Sequence, residues 1–152
     1  MRLYTVNLKS PAGDSKAGES ETSITSHPPR RIKYYDRENN QLDLMGFNRK
    51  LKLDEKTAIN ITRKLSRHFK FTEPEIYFYG SKDSGYASQH ENRIKVPHEP
   101  TIGLLIHELA HRYTIEKKLI TKKFHTKKLM KTTKRFAKYI MKKNYWIKTS
   151  KS

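Results

Sequence analysis

The sequence contains no cysteine among its 152 residues. This absence excludes disulfide bonds, thiolate metal ligands and cysteine nucleophiles, so any metal site must use His, Asp or Glu side chains. Long apolar runs are also missing. No window approaches the roughly 18 apolar residues that a membrane-spanning helix needs, and the N-terminus lacks the apolar centre of a signal peptide. We therefore expect a protein that works in the cytoplasm or at the nucleoid or nucleus, without a membrane partner and without secretion.

Acidic residues are absent from the last quarter of the chain. Residues 117–152 contain fourteen Lys or Arg and no Asp or Glu, although the whole sequence has 15 acidic residues. A surface charged with one sign repels itself unless a polyanion neutralises it. We therefore predict contact with nucleic acid, DNA rather than RNA, without sequence preference. The predicted phosphate-binding side chains are Lys127, Lys128, Lys131, Lys134, Arg135, Lys138, Lys142 and Lys143. Tyr139, Tyr145 and Trp146 are candidates for stacking on unpaired bases.

The composition also predicts the domain organisation. A short strand is expected within residues 2–8, but residues 10–29 contain almost no bulky apolar side chain. Such a segment cannot bury enough surface to offset the entropy lost on ordering, so it is predicted to be a flexible arm. The chain length allows one compact core. We therefore predict an N-terminal strand and arm at 1–29, a folded domain at 30–144 and a basic tail at 145–152.

Within the folded domain, apolar spacing predicts a helix from Asp54, as N-cap, to about Phe69. A second helix is expected to begin after Thr101 as N-cap, and a third to run from about Thr126 to Asn144. Segments rich in β-branched and aromatic residues predict strands at 75–80, 84–88 and 92–97. A further strand pair is expected from "RIKYYD" and "QLDLMGF" across the turn-prone "RENN". The predicted fold class is α+β, with a small, mainly antiparallel three-stranded sheet between helices.

The second of these helices contains the motif His107-Glu108-Leu109-Ala110-His111. Two His four residues apart lie on one face of a helix and can reach one ion, and Glu108 lies about 100° from His107. This is the geometry of a metal-activated hydrolase, in which two imidazoles hold Zn²⁺ and a carboxylate takes a proton from water. The alternative is a His pair on a surface helix. The uncharged neighbours favour the metal site, because unpaired His and Glu side chains in a core are unfavourable.

A third ligand is needed, and few residues remain to supply it. No carboxylate follows Glu116, and Glu116 itself lies about 140° around the helix from His111, so it is expected to face away. After His111 the chain has one further histidine, His125. We predict that His107, His111 and His125 hold one Zn²⁺, provided that the chain turns back between residues 118 and 124. The alternative is that His125 is a surface residue of a basic helix. His90 and His98 are expected to face solvent.

The segments "LLIHELAHRY" and "FHTKKLMK" resemble the SprT-like family of zinc metalloproteases, which includes the Spartan-type DNA-dependent proteases. The resemblance covers about residues 54–144, a minimal zincin core. Thr126 stands where the family commonly has Gly, and no Cys-rich zinc ribbon follows. The resemblance implies that His107, His111 and His125 ligate zinc and that Glu108 is the general base and acid. It also implies that the strand at 84–88 or at 92–97 pairs antiparallel with a peptide substrate.

The sequence therefore predicts a zinc-dependent protease that acts on proteins at or near nucleic acid. One alternative is a zinc peptidase whose basic segment binds an acidic protein partner. Another is a nucleic-acid-binding protein that keeps a structural or inactive metal site. A further hypothesis is that the arm at 10–29 inhibits the site, with His27 in the open metal position.

Overall fold

The computed structural model describes residues 3–6, 29–80, 85–88, 90–119 and 125–143. In chain order the elements are β1 Leu3–Val6, α1 Pro29–Leu44, α2 Glu55–Phe69, β2 Glu75–Phe78, β3 Gly85–Ser88, β4 Arg93–Val96, α3 Ile102–Glu116 and α4 Lys127–Lys142. This arrangement confirms the predicted α+β class. Within these ranges, none of the helices combines the length and the apolar character that crossing a membrane requires.

The strands form one sheet in the order β1-β3-β4-β2. β3 pairs antiparallel with both β1 and β4, whereas β2 pairs parallel with β4. The three predicted strands of the domain are therefore present. The predicted N-terminal strand is also present, and it lies at the edge of the sheet next to β3.

The predicted strand pair between residues 31 and 47 is wrong, because this segment lies in α1 and the turn that follows it. Tyr34, Glu38 and Leu42 are all buried, whereas Asp36 and Asn40 between them are exposed. A strand would place these five residues on one face, so the burial pattern is that of a helix. The "RENN" segment lies in the middle of this helix and is mainly exposed apart from Glu38. The helix ends before Gly46, which has a φ of +80° that a side chain would disfavour.

Side-chain caps determine where the other three helices begin. Asp54 accepts a hydrogen bond from the backbone N–H of Thr57 at 2.7 Å. The Thr101 hydroxyl accepts from Leu104 N–H at 3.2 Å. Thr126 caps α4 through Leu129 N–H in the same way, at 3.3 Å. These contacts confirm the predicted helix starts, since each cap satisfies a backbone donor that has no partner within the helix.

The core is built around α3, which packs against α4 and against strands β3 and β4. Leu105, Ile106 and Leu109 of α3 are completely buried. The predicted apolar side of α4 is confirmed, because its members are all buried: Leu129, Thr133, Phe136 and Ile140. A helix that is apolar around most of its surface lies inside the domain. The polar side chains of α3 are therefore held within the core.

Candidate metal centre

His107 and His111 lie one turn apart on α3, and both side chains are buried. Their Nε2 atoms are 3.1 Å apart. Two nitrogens bound at about 2.0–2.1 Å to one tetrahedral zinc ion are about 3.3 Å from each other. The spacing of these two nitrogens therefore matches what a shared ion requires.

His125 completes a cluster of three imidazoles. It stands one residue before Thr126, the N-cap of α4, so the start of that helix determines its position. Its ring centroid lies 5.6 Å from that of His107 and 5.1 Å from that of His111. One ring nitrogen from each histidine can be chosen so that all three lie within 4.8 Å of one another. The structure thus brings together the three histidines selected from the sequence, and small side-chain movements would bring them to zinc-binding distances.

Helix α1 supplies a carboxylate to the same centre. Oε1 of Glu38 lies 2.8 Å from Nδ1 of His107, and Oε2 accepts a hydrogen bond from the Tyr34 hydroxyl at 2.9 Å. A carboxylate beside Nδ1 keeps the proton on that nitrogen and leaves Nε2 as the electron-pair donor. Glu38 therefore orients His107 toward His111. Sequence reasoning missed Glu38 because it assigned residues 37–40 to a turn between two strands, where Glu38 has no reason to face the same site as Tyr34.

Tyr35, also on α1, contacts the His cluster. Its hydroxyl is 3.3 Å from Nε2 of His125, and its ring centroid is 5.6 Å from that of His107. The side chain is 8% exposed. It therefore places a phenol at the boundary between the buried centre and the surface.

Glu108 is completely buried. Neither of its carboxylate oxygens has a hydrogen-bond partner among the described residues. Burial raises the pKa of this carboxyl well above its ordinary value, and the negative charge of Glu38 adds to the increase. A buried carboxyl group without a partner is unfavourable for stability. Folding stability therefore does not explain why Glu108 stands next to His107, whereas a chemical role for its carboxyl group would.

Gly85 of β3 lies against the Glu108 side chain. A Cβ atom at position 85 would lie 3.6 Å from Oε2 of Glu108 and 2.5 Å from the backbone oxygen of Lys95. The second distance is too short for any side chain, so glycine allows β3 to approach β4 closely, whereas the first is an ordinary contact distance. The carboxyl group of Glu108 consequently faces the backbone of β3.

The electrostatic surroundings favour a neutral imidazole at His111. Burial lowers the pKa of His111 well below its ordinary value, with smaller contributions from His107 and His125. A histidine must be neutral to ligate a metal ion. Imidazole ligands suit Zn²⁺, Cu²⁺, Fe²⁺ and Ni²⁺, so the donor set is compatible with the predicted zinc without being specific for it.

The remaining titratable candidates lie elsewhere. Both carboxylate oxygens of Glu116 lie 3.1 Å from the backbone N–H of Thr72, and Glu116 is not part of the His cluster. His90 and His98 are exposed, as predicted. His27, proposed as an inhibitory ligand, lies outside the described residues.

The two polar residues that follow the motif bind other parts of the fold. Nη1 of Arg112 donates to the backbone oxygen of Ser88 at 2.6 Å, and Nε donates to Oδ1 of Asn92 at 3.1 Å. The Tyr113 ring packs edge-on against Phe71, with a centroid distance of 5.5 Å. These contacts connect α3 to β3 and to the core.

The predicted nucleic-acid side chains lie along α4. Six of them are exposed, namely Lys127, Lys128, Lys131, Arg135, Lys138 and Lys142, whereas Lys134 and Lys143 are half-buried. Lys134 donates to Oε1 of Gln41 at 3.0 Å, and Arg135 lies over the Phe69 ring at 5.2 Å from its centroid. Tyr139 stacks on His68 with a centroid distance of 3.8 Å. One ring face of Tyr139 is therefore covered within the domain, and Tyr145 and Trp146 lie outside the described residues.

Replacing Glu38 with Gln should weaken zinc binding by about 10- to 100-fold, the usual effect of losing an outer-shell partner of a ligating histidine. The amide keeps the shape of the side chain but removes the charge that maintains the proton on Nδ1 of His107. The measurement is the zinc Kd from competition with a chromogenic chelator. Asp36→Asn is the matched control, because Asp36 is an exposed carboxylate of the same helix. An unchanged Kd for Glu38→Gln would contradict the orienting role.

Comparison with models of protein families, with curated proteins and with solved structures found no match to this chain. The resemblance to SprT-like metalloproteases therefore stays a prediction from the sequence motif. The function of this centre is therefore inferred from the arrangement of its own side chains.

Proposed function

We propose that this protein is a zinc-dependent peptidase that acts on protein substrates, with His107, His111 and His125 as the metal ligands and Glu108 as the general base and acid. The observation that carries the proposal is the convergence of three histidines, combined with a fully buried Glu108, next to His107 in the chain, whose carboxyl group has no hydrogen-bond partner among the described residues. A structural zinc site normally has four protein ligands, whereas a catalytic site has three and keeps one position open. Three imidazoles next to a carboxyl group fit the catalytic type.

The chemistry divides between the ion and the protein. A bound zinc ion would act as a Lewis acid on a peptide carbonyl and lower the pKa of water to about 7. Glu108 accepts a proton from the attacking water and delivers it to the nitrogen of the leaving amine as the peptide bond breaks. Tyr35, whose hydroxyl lies beside His125, is the donor that we assign to the carbonyl oxygen on which negative charge develops. Glu38 keeps His107 oriented during these steps.

The test of this proposal is hydrolysis of unfolded casein and of quenched fluorescent peptides by the purified full chain. We expect cleavage that requires a stoichiometric metal ion, that stops when a chelator removes the ion and that returns when zinc is added. Zinc binding without cleavage of any peptide or protein substrate would favour the alternative of a structural or inactive metal site.

We also propose that the basic face of α4 brings the peptidase to nucleic acid. Its exposed lysines project from one helix, and residues 117–152 contain no acidic residue to neutralise them. Attraction to phosphates needs only this density of positive charge and carries no sequence preference. The helix lies next to the metal centre, because His125 immediately precedes its N-cap. Substrates bound to nucleic acid would therefore be held near the peptidase site.

Changing Lys131 and Lys138 together to Gln should weaken binding to a single-stranded oligonucleotide and reduce its dependence on salt. Each lost phosphate contact removes about 0.7 from the slope of log K against log salt concentration, so we expect a decrease of about 1.4. Fluorescence anisotropy at several salt concentrations measures both quantities. Lys52→Gln with Lys56→Gln is the matched control, since these exposed lysines carry the same charge and lie outside α4. An equal decrease in the control pair would argue against a nucleic-acid site on α4.

A groove on the same helix favours one alternative partner. Its lining includes Lys131, Lys134 and Lys138 as well as Met45, Met130 and Met141. Methionine side chains adapt to apolar partners, and lysines favour acidic ones. An amphipathic acidic protein segment would fit this groove. If titration with such a segment abolished oligonucleotide binding, the two partners would share one surface.

A further inference from the structure

The N-terminal strand β1 occupies one edge of β3. The two strands run antiparallel, with Leu3 opposite Ser88, Tyr4 opposite Ala87, Thr5 opposite Tyr86 and Val6 opposite Gly85. The other edge of β3 pairs with β4. Both edges of β3 are therefore occupied by strands of the same chain.

Strand β3 approaches the Glu108 side chain. The contact is at Gly85, where a Cβ atom would lie 3.6 Å from Oε2 of Glu108. Val6, the last residue of β1, lies opposite this glycine. The end of β1 is thus placed at the same point of the sheet as the carboxyl group assigned to proton transfer.

A peptide substrate must present an extended backbone for one of its carbonyl groups to be attacked. Adding it as a strand to a sheet edge is a common way of holding it, because backbone hydrogen bonds tolerate many sequences. Neighbouring strands are about 4.7–4.9 Å apart, so a peptide on the outer edge of β2 would be separated from β3 by two strands. A peptide on the outer edge of β1 would be separated from β3 by β1 itself. The edge of β3 that β1 occupies is therefore the edge directly next to the strand that contacts Glu108.

We propose that β1 is an internal occupant of the peptide-binding edge of β3 and that extended peptide substrates must displace it. The chain's own N-terminal segment would then act as a competitive inhibitor in cis. Its tethering supplies a high effective concentration, while a four-residue strand at a sheet edge remains weak enough to be displaced. The inhibitory consequence rests on the proposed peptidase function, whereas the occupancy of the edge rests on strand pairing.

A reversible cross-link tests the occupancy without using catalysis. Thr5→Cys and Tyr86→Cys place two thiols on directly opposite residues, whose Cα atoms in an antiparallel pair are within the range that a disulfide spans. The chain has no other cysteine, so oxidation can form only this bond within one molecule. The substitutions are made with Glu108→Gln to prevent cleavage, and the probe is a fluorescent peptide with the sequence of residues 1–9, MRLYTVNLK.

We expect the oxidised protein to bind the probe at least about tenfold more weakly than the same protein after reduction, because the edge becomes permanently occupied. Equal affinities would overturn the proposal. Failure of the two thiols to cross-link would overturn it as well, since β1 would then not lie on β3. The single Thr5→Cys variant serves as the control and should show no response to oxidation.

Activity of the full chain tests the inhibition. Changing Tyr4 and Thr5 together to Pro removes two consecutive N–H groups, so whichever of them donates to β3 is lost. Changing both to Ala keeps these donors and is the matched control. We expect kcat/KM for a quenched peptide to rise about tenfold in the Pro pair and to stay unchanged in the Ala pair. A Pro pair with full metal content and unchanged kcat/KM would overturn the inhibition.

The two readouts separate this inference from the proposed function. If the cross-link controls probe binding while no variant cleaves any peptide, the proposed peptidase function fails and the occupancy of β3 stands. If the chain cleaves peptides equally well with and without the disulfide in a protein that retains Glu108, the inference fails and the peptidase function stands.

Discussion

Glu108→Gln should lower kcat for peptide hydrolysis by about 10²- to 10⁴-fold while the protein keeps its fold and its metal, the usual contribution of a general acid–base group. The amide has almost the same shape as the carboxyl group but cannot accept the proton. Because Glu108 is buried without a hydrogen-bond partner in the described structure, its folding role is small and the effect on stability should be minor. Initial rates on a quenched peptide, together with metal analysis and thermal unfolding, measure all three quantities.

Glu99→Gln provides the control for this experiment. It is the same chemical change at an exposed position in the segment before α3, and it should leave activity unaltered. A Glu108→Gln protein that retains more than about a tenth of the activity would exclude Glu108 as general base. A variant that loses its metal together with its activity would instead indicate that Glu108 holds the ion.

For the proposed zinc centre, replacing His125 with Ala should remove the stabilisation that a bound zinc ion would give to the folded protein. At a free zinc concentration 100 times the Kd, binding stabilises the native state by about 2.7 kcal/mol, which is roughly 5–10 °C in Tm for a domain of this size. Without one of three ligands the affinity should fall by more than the ~100-fold typical of outer-shell changes. Thermal unfolding with added zinc and with added chelator should therefore give the same Tm for the variant and different values for the unaltered chain.

The matched control is His90→Ala, because His90 is exposed and is not part of the His cluster. Its Tm should depend on zinc as strongly as that of the unaltered protein. His125 is half-buried at the start of α4, so its replacement should disturb the core less than a change at the buried His111. If His125→Ala still gained the full zinc-dependent stability, the metal would have to be held by His107, His111 and a different third group.

Much of the centre was predictable because its chemistry is encoded locally. The four-residue spacing of His107 and His111 is a property of any helix, and the apolar residues between and around them indicated that this helix is buried. His125 followed from elimination, since no other histidine and no carboxylate comes after Glu116. Cap residues such as Thr101 and Thr126 were equally visible, because each one bonds to a backbone group only three residues away.

The contribution of α1 was not predictable in the same way. Its strand-like segments around "RENN" contain aromatic residues that occur in strands and helices alike, so local preference was ambiguous. Burial against the metal centre favours the helix: Tyr34, Tyr35 and Glu38 all point to the histidines only when the backbone is helical. Tertiary contacts of this kind override weak local propensity.

The sequence by itself determined the residue types of the candidate metal centre, the position of Glu108 next to His107, the starts of three helices and the excess of positive charge on α4, because each depends on residue identity or on spacing within one element. Only the tertiary structure decided that Glu38 orients His107, that Gly85 brings β3 against Glu108 and that β1 lies along the edge of β3. These contacts join residues far apart in the chain. Their energies come from packing and hydrogen bonding between elements, and no local pattern records which distant elements will meet.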